Sequence, residues 1–363
     1  ISPGLWVLDN FGQKLIALIY NGACFEWDGA PSNATATRAT IIPNAPTKSR
    51  HVIVSTPDRH LVFFGTETKV GDTTTQDDMF IRFSDQESID QTDSYTVTAN
   101  NTAGTQRLAD GSRIMGAIKG RDAIYVWTDT ALFLMQFVGA PFTFSFQQVG
   151  TNCGLLGKNA CIEVDGAAYW MSENGFFRYA GALESLTCLV EDFVYDSINT
   201  TARDLVNAGL NNLFGEITWF YCNSGSNVVN RQVTYNYLDS TTQRPIWTTG
   251  SLARTAWQDS AVFGLPHATY YTASDNNSFD VTGNTDGTTI YYEQETGTDQ
   301  VNAGGAVTAV IANISSGDFD ITQRRSNTGQ TVGMPDLRGD GEFIMRISRF
   351  IPDFIDQTGN TSI

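Results

Sequence analysis

The chain has 363 residues and a formal net charge of −17 at pH 7, from 39 acidic against 22 basic side chains. That balance repels DNA phosphates and anionic lipid headgroups, and so excludes a conventional nucleic-acid-binding protein. Hydrophobic residues at 41%, charged residues at only 17% and 33 glycines amid abundant Asn, Thr and aromatic residues describe short strands joined by tight turns, an all-β chain.

In chain order, one unit recurs: an apolar strand, a turn bearing Gly or Asp, then an aromatic-rich strand that often ends in an acidic residue. The first copy runs over 14–20, the turn Asn21-Gly22 and 24–28. The second joins 51–55 to 60–65 through 56–59 and continues at 80–85. The third takes 114–118, 123–129 and 131–137. The fourth takes 160–164, the turn Asp165-Gly166, 167–172, the turn Glu173-Asn174-Gly175 and 176–179. Asp-Gly and Asn-Gly between alternating apolar runs are strong hairpin signals. A fifth copy covers 216–222 and 231–237, and a sixth 268–272 and 288–293.

Taking Trp27, Phe83, Trp127, Tyr169, Trp219 and Tyr291 as second-strand markers gives a spacing that is irregular but of the order of the ~40–50 residues of one propeller blade. The expected fold is all-β and β-propeller-like with about six blades over 1–297. The texture changes after Gly297, so 298–363 is expected to be a β-rich C-terminal module or arm, with a strand at 341–350. A single helix is expected near 189–199, with Leu189 and Phe193, joined by Val190 and Val194, on its apolar face.

No apolar run of ~18 residues exists, so no membrane anchor is expected. The N-terminus Ile1-Ser2-Pro3-Gly4 has no basic region and no initiator Met, and the chain stops at Thr361-Ser362-Ile363 just after an apolar run; both ends are expected to be incomplete.

Chemistry is poorly signalled. Cys24, Cys153, Cys161, Cys188 and Cys222 are odd in number, widely spaced and free of any CxxC, which fits buried free thiols rather than a disulfide scaffold or zinc site. His51, His60 and His267 lie in no metal-binding spacing, and no nucleophile elbow or phosphate loop occurs. Glu26, Asp28, Asp85, Asp129, Glu173, Glu293 and Glu295 are the carboxylates, near aromatics, against which a glycosidase needing two acids is tested. The oxygen-rich stretches 275–280 and 284–287 lack the spacing of a twelve-residue calcium loop. Asn33, Asn199 and Asn313 begin glycosylation triplets expected by chance in an Asn/Thr-rich chain. No catalytic, cofactor-binding or metal residue is assigned, and no enzyme or cofactor is expected.

Several segments carry a resemblance: Trp6-Val7-Leu8-Asp9-Asn10-Phe11-Gly12, Ala45-Pro46-Thr47-Lys48-Ser49-Arg50 and Val54-Ser55-Thr56-Pro57-Asp58-Arg59-His60. Further on come Trp127-Thr128-Asp129-Thr130, Gly139-Ala140-Pro141-Phe142-Thr143-Phe144, Gly150-Thr151-Asn152-Cys153-Gly154 and Tyr169-Trp170-Met171-Ser172. Together, from about Leu5 to Glu293 with a looser echo at 343–354, the chain resembles the tail hub (nozzle) or packaged-DNA stabilisation proteins of short-tailed bacteriophages.

The resemblance implies a virion subunit in a homohexameric ring below the portal and a tail adaptor protein. It would hold fibre, spike or needle proteins and pass double-stranded DNA through its lumen without specific binding. It also points to 137–146 and Trp6 to Phe11 as segments that insert into neighbouring subunits. An acidic lumen fits this role, because a basic one would grip DNA by counterion release. The alternative is a carbohydrate-binding or glycan-cleaving β-propeller.

Overall fold

The computed structural model describes residues 5–29, 38–56, 58–242, 244–261, 263–272, 288–297, 299–301 and 307–309. Blade 1 consists of β1 (Trp6–Phe11), β2 (Lys14–Ile19), β3 (Cys24–Asp28) and β4 (Thr40–Ile41). Blade 2 consists of β5 (His51–Ser55), β6 (His60–Phe64), β7 (Phe80–Phe83) and β8 (Gly104–Arg107). Blade 3 consists of β9 (Ile114–Lys119), β10 (Ile124–Thr128), β11 (Ala131–Gly139) and β12 (Thr143–Thr151).

Blade 4 consists of β13 (Cys161–Val164), β14 (Ala167–Ser172), β15 (Gly175–Tyr179) and β16 (Leu183–Leu186). Before blade 5 come helix α1 (Glu191–Tyr195) and a 3-10 segment, Thr200–Leu205. Blade 5 consists of β17 (Asn207–Asn211), β18 (Glu216–Tyr221), β19 (Arg231–Asn236) and β20 (Trp247–Gly250). Blade 6 has three described strands, β21 (Ala256–Gln258), β22 (His267–Thr272) and β23 (Thr288–Glu293).

Each blade is an antiparallel meander in sequence order. First strands pack on first strands in succession, β1 on β5, β5 on β9, β9 on β13, β13 on β17 and β17 on β21. This is a six-bladed β-propeller. Hairpin geometry follows turn chemistry: Asp165 and Gly166 both adopt positive φ (52° and 84°), as a two-residue turn matched to strand twist requires.

The core lies in the seams between blades. Ile16, Leu18 and Cys24 of blade 1 meet Val52, Val54, Leu61 and Phe63 of blade 2. Phe64 and Ile81 of blade 2 meet Val126 and Phe133 of blade 3. The broadest seam joins blades 3, 4 and 5 through Trp127, Trp170 and Trp219. The Trp127 and Trp170 rings stand 5.3 Å apart, and the indole N–H groups of Trp170 and Trp219 donate to the backbone oxygens of Cys153 (2.8 Å) and Ala160 (3.0 Å). A buried tryptophan combines a large apolar area with a polar edge that needs a partner, and both needs are met at these two residues.

The helix is shorter than the 189–199 stretch, and only the valines of the expected apolar face turn inward. Val194 is buried and Val190 half-buried, whereas Leu189 and Phe193 are more than half exposed. Tyr195 fixes this rotation, since its hydroxyl donates to the Ser172 (2.8 Å) and Gly175 (2.9 Å) carbonyls of blade 4.

A separate unit comprises Thr298–Ile363. Its described part is a short antiparallel pair, β24 (Asp299–Val301) with β25 (Val307–Ala309). The expected strand at 341–350, the echo at 343–354, the oxygen-rich loops at 275–280 and 284–287, and Asn33 and Asn313 lie outside the described residues.

Candidate functional site

The residues singled out by type are dispersed and occupied. All five cysteines are buried and unpaired; burial pushes Cys24, Cys161, Cys188 and Cys222 up to about 12 and Cys153 to about 11, which leaves them as inert thiols. His60 is buried and its Nδ1 bonds the Ser84 carbonyl (2.8 Å), while His267 stacks on Tyr291 and shares a hydrogen bond with its hydroxyl.

The carboxylates act as turn fasteners. Glu26 accepts from Lys14 Nζ (2.8 Å), Glu173 from Arg203 Nη1 (2.8 Å) and Glu295 from Asn211 Nδ2 (2.9 Å). Asp85 accepts from both the backbone N–H (2.8 Å) and the hydroxyl (2.6 Å) of Thr102, and Asp129 from the Ser112 N–H (2.8 Å) and hydroxyl. Asp28 and Glu293 stand at the ends of β3 and β23. One pair that the sequence reading missed stands at the blade 5 to blade 6 boundary, where burial and the nearby Glu295 push the Glu216 carboxyl up. Among the described residues no group of three His, Cys, Asp or Glu side chains gathers to hold a metal.

The first strands bring together a charged cluster that the sequence did not signal. Asp9 of β1 accepts from Lys119 Nζ of β9 (2.6 Å) and from the Val54 N–H of β5 (2.7 Å), tying blades 1, 2 and 3. Buried Lys158 lies 4.8 Å from the Tyr20 ring centroid, and its Nζ has no hydrogen-bond partner within the protein. Burial lowers its pKa to about 8.

His51 is enclosed beside it; burial first, and the Lys158 charge second, push its pKa down to about 4. An unfolded histidine protonates near 6.5, so between pH 6.5 and about 4 the unfolded chain binds the extra proton. The contribution of neutral His51 is complete above pH 6.5 and is lost as pH falls through about 4, up to ~3 kcal/mol. In urea titrations at successive pH values His51→Asn is expected to flatten this arm; an unchanged slope between those limits contradicts the assignment.

The segments marked as inserting into neighbours are partly exposed and partly packed within the subunit. β11 and β12 are nine residues each, against two to six for the other third and fourth strands. The pairs next to the turn of this hairpin are fixed by packing: Phe144 meets Phe83 (4.9 Å), His60 (5.2 Å) and its cross-strand partner Phe137 (5.7 Å), and the Thr143 hydroxyl donates to the Thr102 carbonyl (3.0 Å). Its tip carries Phe142 at 77% exposure beside the half-exposed Val138.

On blade 1, Val7 and Phe11 pack toward blade 2, while the alternate residues Trp6 (53%) and Leu8 (61%) face out. Cross-strand register sets Phe25 and Ile41 on the same face as Leu8 and Trp6.

A further concavity of about 680 Å³ opens between blades 4 and 5. Tyr169, Arg178 and Glu184 form a row across β14, β15 and β16, and Tyr235 and Tyr237 face them from blade 5.

No known protein-family profile and no curated protein matches the sequence. Solved structures similar to this chain include the dihydro-heme d1 dehydrogenase NirN in complex with DHE, at 9% identity and TM-score 0.45 over 83% of this chain and 59% of that one. Others are the computationally designed Ika8 protein, at 9% identity and TM-score 0.43 over 79% and 70%, and BamB from Moraxella catarrhalis, at 10% identity and TM-score 0.37 over 80% and 83%.

Proposed function

We propose that this chain is a structural subunit of a phage tail hub, or nozzle, assembled as a six-membered ring that retains packaged DNA and conducts it during ejection. The observation that carries the reading is the β11–β12 hairpin, whose turn exposes Phe142 while Phe144, two residues on, is packed against blade 2. A rigid exposed phenylalanine is the form of an interface anchor. The segments that resemble tail hubs include this tip and the outward-facing strand β1.

The turn end of the hairpin leans on blade 2 through Phe137 and Phe144, whereas the Trp6 and Leu8 face of blade 1 turns away from blade 2, so tip and face are different patches. A contact between unlike patches of identical chains is head-to-tail, and such contacts close into rings when the rotation permits. The DNA path is the lumen between copies, since first strands β5 and β9 are largely buried inside the propeller. Adaptor and fibre, spike or needle proteins occupy the two ends of the ring in this reading, and the place of the protein is the virion.

A net charge of −17 favours a lumen that repels DNA and lets it slide. In filter binding, assembled rings are expected to retain no linear duplex at about 0.15 M salt, where a basic lumen contacting several phosphates would bind with a steep salt slope. Tight, strongly salt-dependent retention overturns the acidic lumen.

A further inference from the structure

The groove between blades 4 and 5 is unlike the other surfaces of the molecule. Besides one Leu and one Pro it is lined by three tyrosines, five serine and threonine hydroxyls and a single Arg with a single Glu. The walls are held in place. Arg178 Nη1 donates to Glu184 Oε2 (3.0 Å), and the guanidinium lies 5.8 Å from the Tyr169 ring centroid. Tyr169 is 6.3 Å from both Tyr235 and Tyr237, Tyr235 packs on Trp247 at 4.7 Å, and the Trp247 indole donates to the Thr187 carbonyl (2.8 Å). Arg178 Nε is buried without a hydrogen-bond partner. Burial pushes the phenols of Tyr235 and Tyr237 up, so both remain protonated donors at neutral pH.

These features select a ligand class. An anionic ligand needs free cations, and the one cation here is already matched by Glu184. An apolar ligand would leave the hydroxyls unpaired, at a cost of ~1–3 kcal/mol for each group fully buried. A neutral polyhydroxylated chain meets both demands, offering dense donors and acceptors at its edges and C–H faces for tyrosine rings. The size lies in the middle of the ~300–1,000 Å³ range of small-molecule sites.

We infer that the groove between blades 4 and 5 is a binding site for a neutral oligosaccharide, with Arg178, Tyr237 and Thr241 as its principal contacts. The inference is independent of ring assembly. The site binds without cleaving, because Glu184 is its only carboxylate and glycoside hydrolysis ordinarily needs two. Arg178 also borders the adjoining groove of about 450 Å³ between blades 3 and 4.

The test uses saturation-transfer NMR of the whole chain with maltotriose, cellotriose, chitotriose and mannotriose as probes, followed by titration of the best one. Transfer to at least one is expected, with a dissociation constant below about 10 mM, and ~tenfold or greater weakening in Arg178→Ala and Tyr237→Ala. Because those changes touch packed walls, Thr241→Trp serves as a second variant: it fills the mouth from an exposed loop and is expected to abolish transfer with the circular dichroism spectrum unchanged. Silence of all four probes with the wild-type chain, or transfer that survives Thr241→Trp and Arg178→Ala, overturns the site. Recovery of shortened sugars contradicts binding without cleavage.

Discussion

Trp219→Ala is expected to destabilise the propeller by ~3–5 kcal/mol, the loss typical of removing a fully buried large aromatic side chain. Trp219 is fully enclosed, 5.0 Å from Phe176 of blade 4 and 6.2 Å from Trp247 of its own blade. Its indole N–H also satisfies the Ala160 carbonyl at the entry to blade 4. Truncation therefore opens a cavity in the blade 4 to blade 5 seam and removes one of the two hydrogen bonds to the Ala160 oxygen, which keeps the one from the Met171 N–H (3.0 Å). Trp219→Phe keeps most of the apolar volume and loses the hydrogen bond, for a smaller cost of roughly 1–3 kcal/mol. Urea midpoints at constant slope measure both changes. An alanine variant within about 0.5 kcal/mol of wild type would mean that this seam does not hold the blades together.

The second large effect concerns assembly. Phe142→Asp is expected to convert the ring into monomers while leaving the fold of each chain unchanged. Phe142 is 77% exposed and belongs to no core cluster, while the strands on either side of its turn are held by Phe83, His60, Phe137 and Phe144. Placing a charge in an apolar contact removes an anchor and buries an unpaired carboxylate, together worth ~2–5 kcal/mol per interface. In a closed ring every contact suffers it. Sedimentation of the variant should give a single slow species with the wild-type circular dichroism spectrum. Persistence of the wild-type assembly would remove the hairpin from the interface.

The parts of the fold legible in the sequence are those where burial writes an apolar run. β5, β6, β9, β10 and β14 are buried along most or all of their length and read as strands without help. β17 was missed because its buried face is carried by Asn207, Gly209 and Asn211, not by apolar side chains. Gly209 is needed there, since a Cβ would stand 2.6 Å from the Trp257 ring. The edge strands β4 and β8 were missed for the opposite reason, since their residues are mostly exposed and polar and their pairing comes only from the neighbouring strand. The aromatic markers counted six blades from unequal positions: Trp127, Tyr169 and Trp219 lie on second strands, but Trp27, Phe83 and Tyr291 on third strands. Much of the irregular spacing comes from that alternation.

The candidate sites were less legible. The groove between blades 4 and 5 draws on residues from Tyr169 to Pro245, and hydroxyl side chains are too common in this sequence to stand out before the fold collects them. The Asp9 to Lys119 pair spans 110 positions and exists only because blades 1 and 3 meet near the axis. The 137–146 segment was singled out only through the resemblance; strand β12 and the turn at 140–142 were not read from the residues.

The most direct test of the ring assignment is the mass of the purified full-length product in solution, by native mass spectrometry with negative-stain images of the same sample. The account predicts six copies in a ring with a central hole. A stable monomer, absent from virus particles, would contradict it.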